Sequence, residues 1–348
     1  MSGQVPLEQG LKILVPSYYA EHYRNQMDKL CPQAKVIPFK LRERRSVFSQ
    51  QRTYDLVLDD PHSKSNDDTE GAAVCVAPIE LTSEASAYLV HHFPALRWIH
   101  STRTGVDYLL NNEVRRRKIL ITSSHVCSEA MAEYVLAMIL AAAKSFPAHM
   151  RLQSTAEWKF LGSRMLKGRR AGVLGLGRIG QAIVKRLKAN QLEVWGWNRS
   201  KVSLKELEQY LPADRENLKK LCRECDFVIV ALPLTEKTRH LVDVEILESM
   251  KADAWLMNVA RGEIVDQEAL YWRLKNKQIG GACLDVMEDE SKPALEKFGH
   301  LENVLITHHS SFYFPEYNQV VCEDFLAKLK CYLAGEPLPD TVSLERGY

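Results

Sequence analysis

The chain has 348 residues, 46% apolar and 26% charged, with a formal net charge of +2. That length and balance describe about two packed domains and exclude the electrostatic footprint of a nucleic-acid or membrane-surface binder. The basic clusters Arg42–Arg45 and Arg115–Lys118 read as solvated helix ends or loops.

The opening MSGQVPLEQG lacks the apolar core of a signal peptide, so a cytoplasmic protein is expected. From Leu11 to Ser124, short apolar runs alternate with helical patterns. LKILVPS, KVIPF, YDLVLDD, AAVCVAP, LRWIHST and KILITSS read as buried strands of a parallel sheet, with Pro61–Gly71 the clearest loop. Ser128, read as an N-cap, opens SEAMAEYVLAMILAAAKSF, a helix apolar enough to be buried. Its apolar stretch, Ala130–Ala143, contains Glu133 and falls short of the ~18 residues that span a bilayer.

A strand then runs into Gly175-x-Gly177-x-x-Gly180, followed by a helix carrying Ile179, Ile183 and Leu187 and by a second strand, Leu192–Trp197. The first glycine permits the tight turn, the second lets a pyrophosphate approach the backbone, and the third lets helix and strand pack closely. The helix N-terminus adds free N–H groups and a positive dipole end. DFVIVALPL, AWLMNVAR, GGACLDV and NVLITHH read as further strands, separated by helices at Asp243–Met250 and Asp266–Lys275. The helical stretch Phe312–Ala334 reads as a return to the first domain. The fold class is therefore α/β: two doubly wound parallel-sheet domains, a Rossmann dinucleotide-binding domain (125–309) inserted into a flavodoxin-like substrate domain (1–124 and 310–348).

The eight cysteines are scattered, which fits reduced thiols better than a disulfide framework. Cys222-x-x-Cys225 has redox or metal spacing, but no second pair completes a zinc site, so no metal is expected.

Polar residues fall at successive strand ends: Arg261 after AWLMNVA, Asp285 after GGACL with Glu290 beyond it, and His309 after VLITH. Hydride addition to a ketone develops an alkoxide, and a histidine can protonate it near neutral pH. A carboxylate beside the ring favours the imidazolium. A guanidinium binds a substrate carboxylate in a planar fork. Arg, Glu and His thus describe a 2-oxo acid reductase.

The segments LRWIHSTRTGVDYL, SEAMAEYVLAMIL, VLGLGRIGQ, LPLTEKTRHLV, NVARGEIVDQEAL, GGACLDVMEDE and VLITHH resemble the D-isomer-specific 2-hydroxyacid dehydrogenase family over most of the chain. RTGVDYLL, WNRS and the closing GEPLPDTVSLERGY are most similar to its glyoxylate/hydroxypyruvate reductase A type. The resemblance implies Arg261 as substrate binder, His309 as acid/base and Glu290 as its partner. It implies a dinucleotide held by Gly175, Gly177, Arg178, Ile179, Gly180, Asn198, Arg199, Ser200, Leu232, Pro233, Thr238, Val259, Ala260 and Ser311, with Asp285 on the nicotinamide carboxamide. Arg103, Thr104 and Gly105 would meet the substrate, the loop offering backbone N–H groups to its carboxylate. A homodimer is implied as well. The alternative function is a non-metabolic dinucleotide-sensing protein resembling the C-terminal-binding corepressors.

Where NAD enzymes place a carboxylate on the adenosine ribose, this chain has Asn198-Arg199-Ser200. A carboxylate ~4 Å from a 2′-phosphate costs on the order of 4 kcal/mol at an effective dielectric of 20. NADP(H) is thus the expected cofactor, with NAD(H) still possible. Three positions depart from the family. His308 replaces a common proline and reads as a packed or solvated imidazole, with a proton relay as the alternative. Ser310–Phe314 is bulky, read as packing or as the wall of a larger pocket. Arg103 stands where relatives have a small residue, read as solvated or as the reader of a second acidic group.

Overall fold

A computed structural model describes residues 10–45, 52–58 and 71–348. The loop residues 61–70 and the side chains of Arg42–Arg45 lie outside that description. The chain divides into two compact units, 1–126 with 315–348, and 127–314.

In the first unit β1 (Lys12–Pro16), α1 (Ser17–Leu30), β2 (Lys35–Arg45), β3 (Arg52–Leu58), β4 (Ala72–Ala77), α2 (Ser83–His92), β5 (Trp98–Ser101), α3 (Asn112–Arg117) and β6 (Leu120–Ser123) follow in order. The six strands pair as β3-β2-β1-β4-β5-β6. Without β3, the order is that of the flavodoxin-like doubly wound sheet. Strand β4, AAVCVA, is buried at every position because helices cover both its faces. Val74 and Val76 face one apolar cluster, Cys75 and Ala77 the other.

The expected all-parallel sheet needs one correction: β3, the YDLVLDD segment, runs antiparallel to β2, Phe39 opposite Leu58. Only six residues separate β2 from β3, and a parallel crossover needs a dozen or more. The basic cluster on α3 needs another. Arg117 is no solvated charge, since it donates to the carbonyls of Val90, Phe93, Pro94 and Leu96.

The second unit begins with α4 (Ser128–Ala143) and α5 (Phe146–Ser154). Cys127, not Ser128, occupies the cap position of α4. Next come β7 (Arg170–Leu174), α6 (Arg178–Ala189), β8 (Glu193–Asn198), β9 (Gln209–Pro212), α7 (Arg215–Glu224), β10 (Phe227–Val230), α8 (Val244–Ser249), β11 (Trp255–Asn258), α9 (Gln267–Lys275), β12 (Gly281–Leu284), α10 (Lys292–Gly299) and β13 (Val304–Ile306). Helices α7, α8 and α9 each start on an aspartate, Asp214, Asp243 and Asp266, whose carboxylate accepts a backbone N–H three residues on. The all-parallel sheet runs β13-β12-β11-β10-β7-β8-β9. Read outward from β7, this is the Rossmann order with a seventh strand added.

Helix α11 (Tyr317–Leu333) returns to the first unit. The crossings fall at 126/127 and 314/315, not at the expected 124/125 and 309/310. Residues 310–314 stay with the second unit because Asp285 holds the Ser310 and Ser311 amides. Among the described residues no single helix is long and apolar enough to cross a membrane. The buried side of α4 carries Met131, Val135, Met138 and Ile139.

Candidate active site

The glycine turn sits where the sheet order reverses, between β7 and β10. Gly175 adopts φ +98°, a conformation that disfavours any side chain, and a Cβ there would lie 2.4 Å from the Ala231 carbonyl oxygen. A Cβ on Gly180 would lie 1.9 Å from the Gly175 oxygen, so the third glycine is dictated by packing. Gly177 is different: nothing lies within 4 Å of its Cβ position. The backbone there is open to an approaching ligand, as a dinucleotide pyrophosphate requires. Gly177 caps α6, with Arg178 its exposed first residue and Ile179 half-buried behind it.

Asn198 closes the turn from the end of β8. Its Oδ1 accepts the Leu176 N–H at 3.1 Å and its Nδ2 donates to the Ser200 carbonyl at 2.8 Å. The side chain is thereby fixed, while Arg199 and Ser200 are exposed beside it. Leu232, beyond β10, lies against the Gly175 turn. Thr238 fastens its own loop, donating to the Pro233 carbonyl at 2.7 Å. These residues fit a dinucleotide: an open glycine, a helix N-terminus and a strand end without a carboxylate.

Along the same sheet edge, Asn258 ends β11 nearly fully buried. Its Oδ1 accepts the Ala260 N–H and its Nδ2 donates to the Arg261 carbonyl. That clamp shapes Val259-Ala260-Arg261 and leaves Arg261 half-buried at the start of a short 3-10 turn. Gly262 then packs backbone to backbone: a Cβ there would lie 1.9 Å from the Met287 carbonyl carbon. The Arg261 turn therefore rests directly on the loop from Asp285 to Glu290. His240 adds a tie, its N–H to the Glu263 carbonyl and its Nε2 2.9 Å from Glu288 Oε1.

Asp285 is 2% exposed, and its carboxylate is taken up by the segment that carries His309. Oδ1 accepts the Thr307 hydroxyl at 2.8 Å and the Ser310 amide at 3.0 Å, and Oδ2 the Ser311 amide at 3.2 Å. The His309 N–H donates to the Asp285 carbonyl at 2.8 Å. His309 sits at φ +51°, a left-handed conformation that histidine tolerates better than most residues. Its ring is exposed and meets Phe312 edge-on, centroids 6.0 Å apart. Tyr134 of α4 faces this cluster, and burial pushes its hydroxyl above the usual range so that it stays neutral.

The structure does not bring Glu290 into an ion pair with His309 or Arg261; Glu290 is exposed at the end of the loop. His308 is also exposed. Of the bulky residues, Phe312 packs on His309 while Tyr313 is 57% exposed. The Cys222 and Cys225 thiols are buried in the core, and burial pushes Cys222 up to about 12. Among the described residues no cluster of three or more His, Cys, Asp or Glu could hold a metal.

In the first unit, the loop after β5 carries Arg103, Thr104 and Gly105. The Arg103 N–H is used by Ser101 Oγ at 3.1 Å, and the Thr104 hydroxyl donates to the Ser124 carbonyl at 2.8 Å. The Tyr317 hydroxyl, at the start of α11, donates to the Thr102 carbonyl at 2.6 Å. Arg103 is not solvated: its Nη2 donates to the Leu81 carbonyl at 2.7 Å and its guanidinium lies over the Tyr108 ring.

Sequence reading overlooked Asn258, Thr307, Tyr134 and the His240–Glu288 pair. Asn258 at a strand end before VARG was the one visible signal, since asparagine there binds its own backbone.

A Rossmann sheet with an open glycine turn, and an arginine turn and a histidine segment along the same edge, defines a nicotinamide-dependent oxidoreductase. Residues 136–311 match the profile described as D-isomer specific 2-hydroxyacid dehydrogenase, NAD binding domain. The glyoxylate reductase of Pyrococcus horikoshii is 38% identical over 62% of this chain and 67% of its own length. That of Korarchaeum cryptofilum is 32% identical over 76% and 81%. Among solved structures, a D-isomer-specific 2-hydroxyacid dehydrogenase of Xanthobacter autotrophicus in complex with NADPH and MES superposes with a TM-score of 0.77 at 25% identity, covering 98% and 100% of the two chains. The chain belongs to the D-isomer-specific 2-hydroxyacid dehydrogenase family.

Proposed function

We propose that this protein reduces small 2-oxo acids, glyoxylate and hydroxypyruvate foremost, to D-2-hydroxy acids with NADPH. The observation that carries this reading is the Asp285-bound segment that presents His309 on the sheet edge bearing the Arg261 turn. The names of the glyoxylate reductase relatives support it.

When bound, the reduced nicotinamide supplies a hydride to C2 of the substrate. His309 gives the carbonyl oxygen its proton, so the 2-oxo acid gains a hydride and a proton to become the alcohol. Arg261 binds the C1 carboxylate and polarises the adjacent carbonyl. Glu290 is the carboxylate we assign to the imidazolium, which requires its loop to bring it to His309. The Gly105 amide is assigned to the substrate carboxylate, and the Gly175–Gly180 turn and α6 to the pyrophosphate. Asp285, beyond holding the His309 segment, is assigned to the nicotinamide carboxamide. Asn198, Arg199 and Ser200 favour a 2′-phosphate because no carboxylate repels it. Residues 1–126 with 315–348 serve as the substrate domain.

Phe146, Met150, Trp158, Phe160 and Met165 are exposed large apolar side chains on one stretch of the second unit, Trp158 and Phe160 almost wholly. Exposed apolar side chains of this kind support a homodimer.

The test is a panel of glyoxylate, hydroxypyruvate, phenylpyruvate and oxaloacetate, each followed by NADPH oxidation. The expected result is turnover of the small acids with a higher kcat/KM for NADPH than for NADH. Absence of turnover with every 2-oxo acid sinks the reading.

A further inference from the structure

Arg103 stands at the carboxyl edge of the first sheet, where ligands bind in doubly wound folds. Ser101 fixes its backbone from both sides: Oγ accepts the Arg103 N–H at 3.1 Å and donates to the Arg103 carbonyl at 2.8 Å. Tyr108, 6% exposed, donates its hydroxyl to the same Ser101 Oγ at 2.9 Å and presents its ring to the guanidinium, 4.1 Å from the centroid. Nη2 reaches the loop after β4, at the Leu81 carbonyl. A long, mobile side chain is thus held in one place by a ring and a carbonyl.

What that arrangement lacks is an anion. No carboxylate among the described residues forms an ion pair with Arg103, and its Nε is buried without a hydrogen-bond partner. Held by a carbonyl and a ring, this half-buried guanidinium is still a cation that no carboxylate among the described residues neutralises. Donors of the guanidinium are left for a carboxylate, which such a group takes in a planar fork. Two residues on is Gly105, whose amide is assigned above to the C1 carboxylate. The loop therefore sets a fixed, unneutralised cation next to the place proposed for the substrate's first acid group.

We propose that Arg103 binds a second carboxylate on the substrate, so that 2-oxo dicarboxylic acids are preferred over monocarboxylic acids of the same length. The inference rests on the reductase reading.

The experiment compares oxaloacetate with 2-oxobutyrate, which puts a methyl group where oxaloacetate has its distal carboxylate. The readout is the ratio of their kcat/KM values with NADPH. In the unaltered protein, oxaloacetate should lead by about 10- to 100-fold, the worth of one charge-assisted pair. Arg103→Gln should bring the ratio near one, and Arg103→Lys should restore part of it. Calorimetry of D-malate binding to the NADP+-loaded protein should show the same loss in Arg103→Gln, with thermal melts confirming that the variants fold. Reduction of both acids with a ratio near one, or a ratio unchanged in Arg103→Gln, overturns the assignment and leaves the reductase reading standing. Failure to reduce any 2-oxo acid, glyoxylate included, removes both.

Discussion

The Thr307 hydroxyl donates to the Asp285 carboxylate at 2.8 Å, across the segment that carries His309. Because a carboxylate only accepts, every donor that Asp285 takes up, the Ser310 and Ser311 amides included, comes from this segment. Asp285 therefore holds the His309 segment in place through these bonds and through the His309 N–H, which donates to its carbonyl. Asp285→Asn should lower kcat by about 10- to 100-fold, the effect of a buried donor set left partly unsatisfied. Thr307→Val should lower it less, and Thr307→Ser should restore it. Steady-state kinetics that show KM for cofactor rising, with kcat intact, would place Asp285 on the cofactor alone.

Two glycines three residues apart should respond in opposite ways. A Cβ on Gly180 would lie 1.9 Å from the Gly175 oxygen, whereas nothing lies within 4 Å of one on Gly177. Gly180→Ala should destabilise the protein by about 1–3 kcal/mol through overpacking. Gly177→Ala should leave the melting temperature nearly unchanged yet weaken NADPH binding, because its methyl group enters the space left for the ligand. Paired thermal melts and fluorescence titrations with NADPH measure both.

Cofactor choice should turn on position 198. Asn198 Oδ1 accepts the Leu176 N–H, and an aspartate can keep that bond. Asn198→Asp should shift the NADPH/NADH ratio of kcat/KM toward NADH by on the order of 100-fold, less than the ~4 kcal/mol of a full unit charge at close range. An unchanged ratio would mean that Arg199 and Ser200, or neither, set the preference.

His100 should make stability fall in mild acid. It is fully buried on β5, its Nδ1 3.0 Å from the Thr122 hydroxyl and its Nε2 3.7 Å from Asp324. Burial, with the nearby Lys328 ammonium, holds its titration well below the usual histidine value. The unfolded chain takes up this proton near pH 6.5 and the folded chain does not. Below that pH the unfolded state binds more protons, so stability drops as pH falls, by up to about 1.4 kcal/mol per pH unit. Melting curves from pH 7.5 to 5 should show this slope, and His100→Asn should flatten it.

How much was legible in the sequence varied with what each residue encodes. Gly175, Gly177 and Gly180 were readable because turn, approach and packing each demand glycine, and the strand–helix–strand order around them appeared as read. Strand β3 was visible as an apolar run, but its direction was not, since apolarity records burial and the connection length decides polarity. Strand β9, QYLP, escaped because Leu211 is its only fully buried residue. The polar residues proposed for the site were picked out by their position at strand ends. Their partners were not: Thr307 and Asn258 act by hydrogen bonds that only the folded chain defines. Arg103 shows the same gap. A sequence reveals a cation, but whether it meets solvent or a tyrosine ring depends on where Leu81 and Tyr108 fall.

The central claim, that His309 supplies the proton for NADPH-dependent reduction of a 2-oxo acid, is tested most directly by single-turnover NADPH oxidation with glyoxylate, comparing the unaltered protein with His309→Gln. The account predicts a rate lowered by about 100- to 10,000-fold, as expected on removing a general acid, with NADPH binding retained. Equal rates in the two proteins would contradict it.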